Sequence, residues 1–514
     1  MTWWRRPYAW AVASAIGVIV ANVGGLAIGD DGVGYQATAD NLLRGKGLGY
    51  FLEPRLTIWP PGWPLLMAFV ARVTPLDTEQ AAIALNALTA FAVVLLVHRL
   101  LMQLVRDQNL VTIGTAVSAL GASSMVFGHL LMTDFAFAAV TLALFLALMN
   151  YRRSDEIGWL AITVVLVWAG FMIRYAGIVH IGTIGLWFLT DRRRPVITRL
   201  ISAAAVGLLG AIVPVIWIIR NLTTDHTALG VRYSSARGLL PNTFDTLATV
   251  GNFLTPGVAI GLRTVWAAIA VVGCLVMLAM LWRLVGRQGR FSSVASVTDM
   301  LASPTGLLVI HIVVYVAYML YARTTTGLNQ LDFRLLNPVY LPLVIVALVI
   351  LDRVARARSG DRRPQWAAAA RATVFAWAGL NLVVGIGMVA YFATSPDLFV
   401  GNYERAAFEE VRESPALGAL PTGCHVSSNL PNALYGSGVL AQWSPRNTGL
   451  ESTDPVTDIP RLERDVTRHQ YCLVWIDLQP KYGHLATLAQ LREHFSLVKL
   501  AHDGPVTTYR IDAK

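Results

Sequence analysis

Two adjacent carboxylates, Asp30 and Asp31, stand where the first long hydrophobic run ends, in a segment that goes on to hold Tyr35, Asn41, Lys46, Glu53 and Arg55. Acids at a membrane edge are costly unless they are solvated or at work. A carboxylate beside an acceptor hydroxyl can act as a general base, and it can hold a divalent cation; the plain alternative is a solvated cap on the loop. Three arginines, Arg174, Arg220 and Arg334, fall where later hydrophobic runs reach the same face. A planar guanidinium binds phosphate oxygens in pairs, or else it snorkels or pairs with an acid. Asp134 follows a short turn around His129. It can ligate a metal together with Asp31, orient an arginine, or cap the helix it starts. His129 reads as a hydrogen-bonded interface residue or as a ligand, and Glu53 as a contact for a metal or an acceptor.

The elements that position these residues are membrane helices. The chain has 514 residues, 55% hydrophobic and only 14% charged, where a soluble domain carries about 25% charge. Hydrophobic runs cover residues 8–28, 79–102, 110–127, 130–149, 157–173, 176–190, 200–219, 264–286, 306–322, 335–351 and 367–394. They predict about eleven transmembrane helices. The pair 157–173 and 176–190 reads as two short helices meeting at Arg174-Tyr175, or as one re-entrant hairpin. Every second gap is rich in arginine: His98, Arg99 and Arg106; Arg152 and Arg153; Arg192, Arg193 and Arg194; Arg283, Arg287 and Arg290; and the run from Arg353 to Arg363. This ladder follows the positive-inside rule. It predicts a cytosolic N-terminus, with Trp3-Trp4-Arg5-Arg6 leading an uncleaved first helix, and a C-terminus on the other side. The net charge of +10 is thereby explained without nucleic acid, for which no basic, aromatic-interleaved patch exists.

Three segments on the side opposite the arginine ladder are long enough to build a site: 29–78, 221–262 and 322–337. Within the first, Pro60-Pro61-Gly62-Trp63-Pro64 opens an apolar stretch to Val73 that is too short to span, which predicts a helix lying at the interface. From residue 395 the composition turns polar. Short β-like runs at 425–428, 472–476, 495–500 and 506–511, with a helical stretch at 485–494, predict a small α/β domain over 395–514. Residues 1–394 form the membrane core. Cys424 and Cys472 both fall in the small domain; outside the cytosol they can pair as a disulfide, and otherwise they are two buried thiols. Cys274 lies in a hydrophobic run and reads as packing. No Cys/His cluster has zinc spacing, and neither a P-loop nor a Gly-x-Ser-x-Gly elbow occurs.

Several of these pieces resemble the GT-C membrane glycosyltransferases, in the branch of protein O-mannosyltransferases and aminoarabinose transferases. They are Asp31 with Tyr35 four residues on, then Ala39-Asp40-Asn41-Leu42-Leu43-Arg44-Gly45-Lys46-Gly47-Leu48, then Trp59-Pro60-Pro61-Gly62-Trp63-Pro64-Leu65-Leu66. Met132-Thr133-Asp134 resembles the family's second acidic position. Ile173-Arg174-Tyr175-Ala176-Gly177, Ile219-Arg220-Asn221 and Asp332-Phe333-Arg334-Leu335-Leu336-Asn337-Pro338 resemble its recurring edge motifs, and Ser428-Asn429-Leu430-Pro431 with Leu434-Tyr435 the start of its outer domain. The resemblance covers nearly the whole chain. It implies an enzyme that moves a sugar from a polyprenyl-phosphate donor to the hydroxyl of a glycan, lipid or protein acceptor, with inversion, outside the cytosol of a bacterial plasma membrane. By its spacing to Tyr35, Asp31 takes the place of the family's base. Relatives often carry an Asp-Glu pair, whereas here Asp30-Asp31 is followed by Gly32, so the choice between the two aspartates stays open. Arg334, Arg174 and Arg220 are the candidate donor-phosphate ligands, with Tyr35, Glu53, Asp134 and His129 in support. Mg2+ or Mn2+ could sit on Asp31 and Asp134. The alternatives are a transporter or lipid flippase, which would place charge near the bilayer midplane and often shows repeats, and a non-catalytic subunit of the same fold.

Overall fold

A computed structural model of the chain describes residues 6–254, 262–286, 294–357, 364–395 and 402–514. The arginines at 287, 290 and 358–363 and the leading Trp3-Trp4-Arg5 lie outside the described residues. The helical part runs α1 (Pro7–Ala21), α2 (Asp30–Leu43), α3 (Gly62–Val73), α4 (Thr78–Leu104), α5 (Gln108–Leu120), α6 (Ala122–His129), α7 (Asp134–Ser154), α8 (Ile157–Ile173), α9 (Val179–Thr190), α10 (Val196–Asp225), α11 (Leu239–Phe253), α12 (Arg263–Gly286), α13 (Val294–Ala302), α14 (Pro304–Thr325), α15 (Phe333–Ala357) and α16 (Pro364–Thr394). Among the described residues eight helical runs are long and apolar enough to cross a bilayer, by length and composition, with α5 and α6 counted as one. Four shorter apolar helices add to them: Pro7–Ala21, Gly62–Val73, Ile157–Ile173 and Tyr175–Thr190. With α3 set aside as the expected interface helix, the eight and the remaining three match the runs read from the sequence. The segment around Arg174 is thus two helices, α8 and α9, joined by a 3-10 turn at Tyr175–Ile178.

Side chains facing out of the bundle are apolar. Ile197, Leu200, Ile201, Leu208, Ile212, Val215, Ile216 and Ile219 of α10 are all exposed, a stripe that only lipid covers at low cost. Cys274 is also exposed, on α12, rather than packed inside as its hydrophobic surroundings suggested. Pro214 in α10 and Pro338 and Pro342 in α15 interrupt their helices' hydrogen bonds without ending them, as membrane helices tolerate when neighbours re-satisfy the backbone.

Two helix breaks set the site. The first hydrophobic run was expected to stay helical to residue 28, but α1 stops at Ala21. Asn22 ends it: its side-chain amide donates back to Val18 C=O at 2.7 Å and across to Gly128 C=O at 3.0 Å. The chain beyond runs beside the break that follows α6, with Ala27 N–H donating to His129 C=O at 2.9 Å and Leu131 N–H to Ala27 C=O at 3.1 Å. From these paired breaks α2 and α7 start side by side, α2 with Asp30 and Asp31 in its first turn and α7 with Asp134. Acids there suit the positive end of a helix. Gly32 makes the approach possible, because a Cβ on it would stand 3.0 Å from Leu131 C=O.

The C-terminal part holds α17 (Ala406–Glu413), β1 (His425–Ser428), β2 (Ala441–Trp443), α18 (Asp458–Asp465), β3 (Tyr471–Ile476), α19 (Leu488–His494), β4 (Phe495–Asp503) and β5 (Val506–Ala513). Strand order is β2-β1-β3-β5-β4; β1 is parallel to β2 and β3, and β5 is antiparallel to β3 and β4. Four of these strands are predicted from the sequence; the three-residue β2 is not. One face of the sheet, through Leu473, Tyr509 and Ile511, packs with Leu462 of α18 and Leu491 of α19. The other, through Val474, Ile476 and Val506, joins the apolar core that continues into the helical bundle. Alternating inward residues on both faces explain the clean strand patterning. Cys424 and Cys472 are disulfide-bonded, which fastens the start of β1 to β3.

Candidate active site

Where the paired breaks open toward the sheet, two carboxylates meet two guanidiniums. Asp31 Oδ2 accepts from Arg334 Nη1 at 3.0 Å. Asp134 is ion-paired with Arg174. Their exposure separates their roles: the Asp31 side chain is 38% accessible and that of Asp134 only 2%. Arg334 opens α15, and its own N–H and that of Leu335 donate to the Asp332 carboxylate, each at 3.0 Å. Asn337, one turn on, donates to Asp134 C=O at 3.4 Å and ties α15 to α7. Tyr35, one helical turn beyond Asp31, is buried, its ring edge-on to Trp59 at 5.2 Å. Burial, with Asp31 beside it, pushes the Tyr35 phenol well up, so it stays a neutral donor.

Asp30 turns the other way. Its carboxylate accepts from Tyr403 OH at 2.7 Å, from Asn432 Nδ2 at 2.6 Å and from Tyr482 OH. Successive helical residues project about 100° apart, which is why two neighbouring aspartates serve different parts of the molecule.

A third group of interactions clamps the segment 55–58 onto the end of α10. Arg220 donates to Leu56 C=O and to Asn221 Oδ1 and lies over the Trp217 ring, 4.8 Å from its centroid. Arg55 donates to Thr224 C=O at 2.7 Å, and Thr57 Oγ1 to Asp225 at 3.1 Å. Tyr175 OH donates to Thr57 C=O at 2.7 Å while accepting from Trp217 Nε1 and Asn221 Nδ2. Arg220, read from the sequence as a phosphate ligand, therefore holds the loop.

Sequence reasoning passed over Arg232. It follows Gly230, whose φ of +79° and approach to Ile58 both exclude a side chain. Arg232 Nε donates to Leu229 C=O at 3.1 Å and Nη2 to Ile58 C=O at 3.2 Å. Among the described residues no carboxylate pairs with it, and it is exposed. Burial of the guanidinium among neighbouring groups lowers it from the usual value although the residue as a whole is exposed, opposed by Tyr175, Asp31, Tyr318 and Glu53; an arginine stays charged regardless. The signal that could have found it is an arginine in a segment where the positive-inside ladder places few, two residues after a glycine. Glu53 lies within reach of the same cation. Burial first, then Asp225, raises its carboxyl to about 7, with Arg232 opposing, and its Oε2 has no partner among the described residues.

His129 is not part of this group. Its Nδ1 contacts Asn22 Oδ1 at 2.8 Å and its ring stacks on Phe392 at 4.2 Å, inside the bundle. The same observations test the expected divalent ion. Asp31 and Asp134 are each matched by a guanidinium, and among the described residues no three His, Cys, Asp or Glu side chains gather at one point. A cation on either carboxylate would compete with the guanidinium it already holds; Mg2+ can be held by one or two carboxylates together with substrate phosphates and water.

No protein-family model and no curated protein matches the chain. Solved structures do. ArnT from Cupriavidus metallidurans in the apo state superposes with a TM-score of 0.56 at 14% identity, over 97% of this chain and 97% of that one. The same protein bound to undecaprenyl phosphate gives 0.56 at 14%, over 98% and 97%. An Archaeoglobus fulgidus oligosaccharyltransferase, tethered with an acceptor peptide, gives 0.50 at 11%, over 91% of this chain and 69% of that one. The likeness is one of architecture: the chain has the GT-C fold of membrane glycosyltransferases, with its small sheet-bearing C-terminal part.

Proposed function

We propose that this protein is an inverting glycosyltransferase that takes a sugar from a polyprenyl-phosphate donor and places it on an acceptor hydroxyl at the extracytoplasmic membrane face. The observation that carries the reading is the accessible Asp31 carboxylate held 3.0 Å from Arg334. Asp31 removes the hydroxyl proton of the acceptor as its oxygen attacks the anomeric carbon. The bond from that carbon to the phosphate oxygen breaks, and the polyprenyl phosphate leaves with the electron pair. Protonation of Asp31 cancels its hold on Arg334, whose charge is then free to meet the leaving phosphate. Arg232, exposed and unmatched by acid, supplies a second fixed cation. Arg174, neutralised by the buried Asp134, orients the start of α7 rather than gripping the donor. The transporter reading loses ground because the charges of the site, Asp30, Asp31, Asp134, Arg174 and Arg334, gather at one end of the bundle.

We assign the catalytic core to residues 1–394 and an extracytoplasmic domain to 395–514, in a bacterial plasma membrane with a cytosolic N-terminus. The arginine ladder supports this orientation, and so does the Cys424–Cys472 disulfide, since disulfides persist outside reducing compartments. The donor class is suggested by ArnT, which was solved with undecaprenyl phosphate. The test is transfer from a panel of undecaprenyl-phosphate-linked sugars by purified protein and its Asp31→Asn variant. Transfer by the first and loss in the second is expected; equal transfer by both would refute the mechanism.

A further inference from the structure

Asp30 collects donors from three separate points of the C-terminal part: Tyr403 ahead of α17, Asn432 in the turn after β1, and Tyr482 after β3. Tyr403 OH also lies 3.2 Å from Tyr482 OH. Tyr403 and Asn432 are almost wholly buried. Beside them, Tyr403 N–H donates to Ile28 C=O at 2.8 Å and Ile28 N–H to Asn402 Oδ1 at 2.9 Å. The other end of α2 is held the same way, with Tyr435 OH donating to Asp40, which also accepts from Thr78 Oγ1 at 2.8 Å. The helix that carries Asp31 is thus fastened to the C-terminal part through both of its ends.

We propose that Asp30 is a positioning residue, and that the C-terminal part of the chain belongs to the catalytic machinery because it sets, through Asp30, where Asp31 stands. This rests on the reading of Asp31 as the base. All three partners of Asp30 are donors and they engage both of its oxygens, whereas Arg334 pairs with Asp31. Burial and the charge of Asp30 push the Tyr403 and Tyr482 phenols up, which keeps them as donors at neutral pH. An amide at position 30 removes the charge that all three donors serve and turns one acceptor end into a donor, so at least one hydroxyl of the cluster must re-orient and accept instead. The first turn of α2 would shift, and displacement of a base by about 1 Å can cost on the order of a hundredfold in rate.

The experiment compares Asp30→Asn, Tyr482→Phe, Tyr403→Phe and Asp31→Asn for kcat, donor KM and the Kd of undecaprenyl phosphate. Asp30→Asn should lower kcat by roughly tenfold to a hundredfold with donor KM and Kd nearly unchanged. The two Tyr→Phe variants should lower kcat less, and each should be less than additive with Asp30→Asn. Should Asp30→Asn fail to fold, the milder Tyr→Phe variants carry the test, since a purely structural role would change yield and melting but not kcat alone. Wild-type kcat in both Tyr→Phe variants, while Asp31→Asn is inactive, would overturn the positioning role and leave the base assignment standing. Full activity in Asp31→Asn would overturn the base assignment itself.

Discussion

Asp31 Oδ2 accepts a hydrogen bond from Arg334 Nη1 at 3.0 Å, across 303 residues of sequence. The pair binds the proton acceptor to the cation that receives the leaving group, so Asp31→Asn should act on the two functions in opposite directions. Sugar transfer should fall by about a hundredfold to ten-thousandfold, the usual contribution of a positioned base. Undecaprenyl phosphate should bind as tightly or more tightly, because Arg334 is no longer shared with a carboxylate. Transfer kinetics and calorimetry on the same preparation test both limbs; weaker lipid binding would contradict this role for Arg334.

Arg232→Gln should raise donor KM, with a smaller effect on acceptor KM. A charge-assisted hydrogen bond is worth about 1.5 to 3 kcal/mol, which corresponds to roughly a tenfold to hundredfold loss of affinity for undecaprenyl phosphate. Arg220→Gln makes the contrast. Its guanidinium is committed to Leu56 C=O, Asn221 and the Trp217 face, so its loss should lower the melting temperature more than it alters lipid binding. Equal effects of the two variants on binding would mean that the loop clamp and the lipid site are one.

Breaking the Asp134–Arg174 pair should destabilise the protein. The Asp134 side chain is 2% exposed and Arg174 16%, and leaving one buried charge unmatched typically costs about 3 to 5 kcal/mol. Either Asp134→Asn or Arg174→Met should show that loss in detergent unfolding, and the double variant should recover much of it. An additive double variant would show that the two residues stabilise independently.

What the sequence made legible follows from how local each signal is. Arg174, Arg334, Asp31 and Asp134 all sit at helix ends whose positions hydropathy reveals, so their gathering at one face could be read from the chain. Partner choice could not. Asp30 and Asp31 are alike in type and adjacent, and only the rotation of α2 against the C-terminal part distinguishes them. Helical residues 30–43 looked like loop because the segment is polar and rich in glycine, and packing rather than propensity makes it a helix. His129 reads from the sequence as an edge residue because the break after α6 resembles a surface turn, whereas it is buried against Asn22. Arg232 belongs to no periodic pattern, and its place depends on Gly230 meeting Ile58, a contact between segments far apart in the chain.

Glu53 gives the stability a pH dependence whose sign can be fixed in advance. Its carboxyl, ordinarily near 4.5, is raised to about 7 by burial and by Asp225. The folded state therefore holds a proton on Glu53 that the unfolded state releases between these two values. Stability from this group is present below pH of about 4.5 and declines as pH rises toward about 7. The difference of roughly 2.5 units corresponds to about 3 kcal/mol at most. Glu53→Gln carries no titrating group there, so relative to it the wild type should lose stability between about pH 4.5 and about pH 7. Parallel melting curves of the two across that range would show that Glu53 titrates as it does in the unfolded chain. Arg232→Gln should carry the wild-type decline on to higher pH, because Arg232 is the cation that favours the ionised carboxylate, while the slope stays that of a single proton.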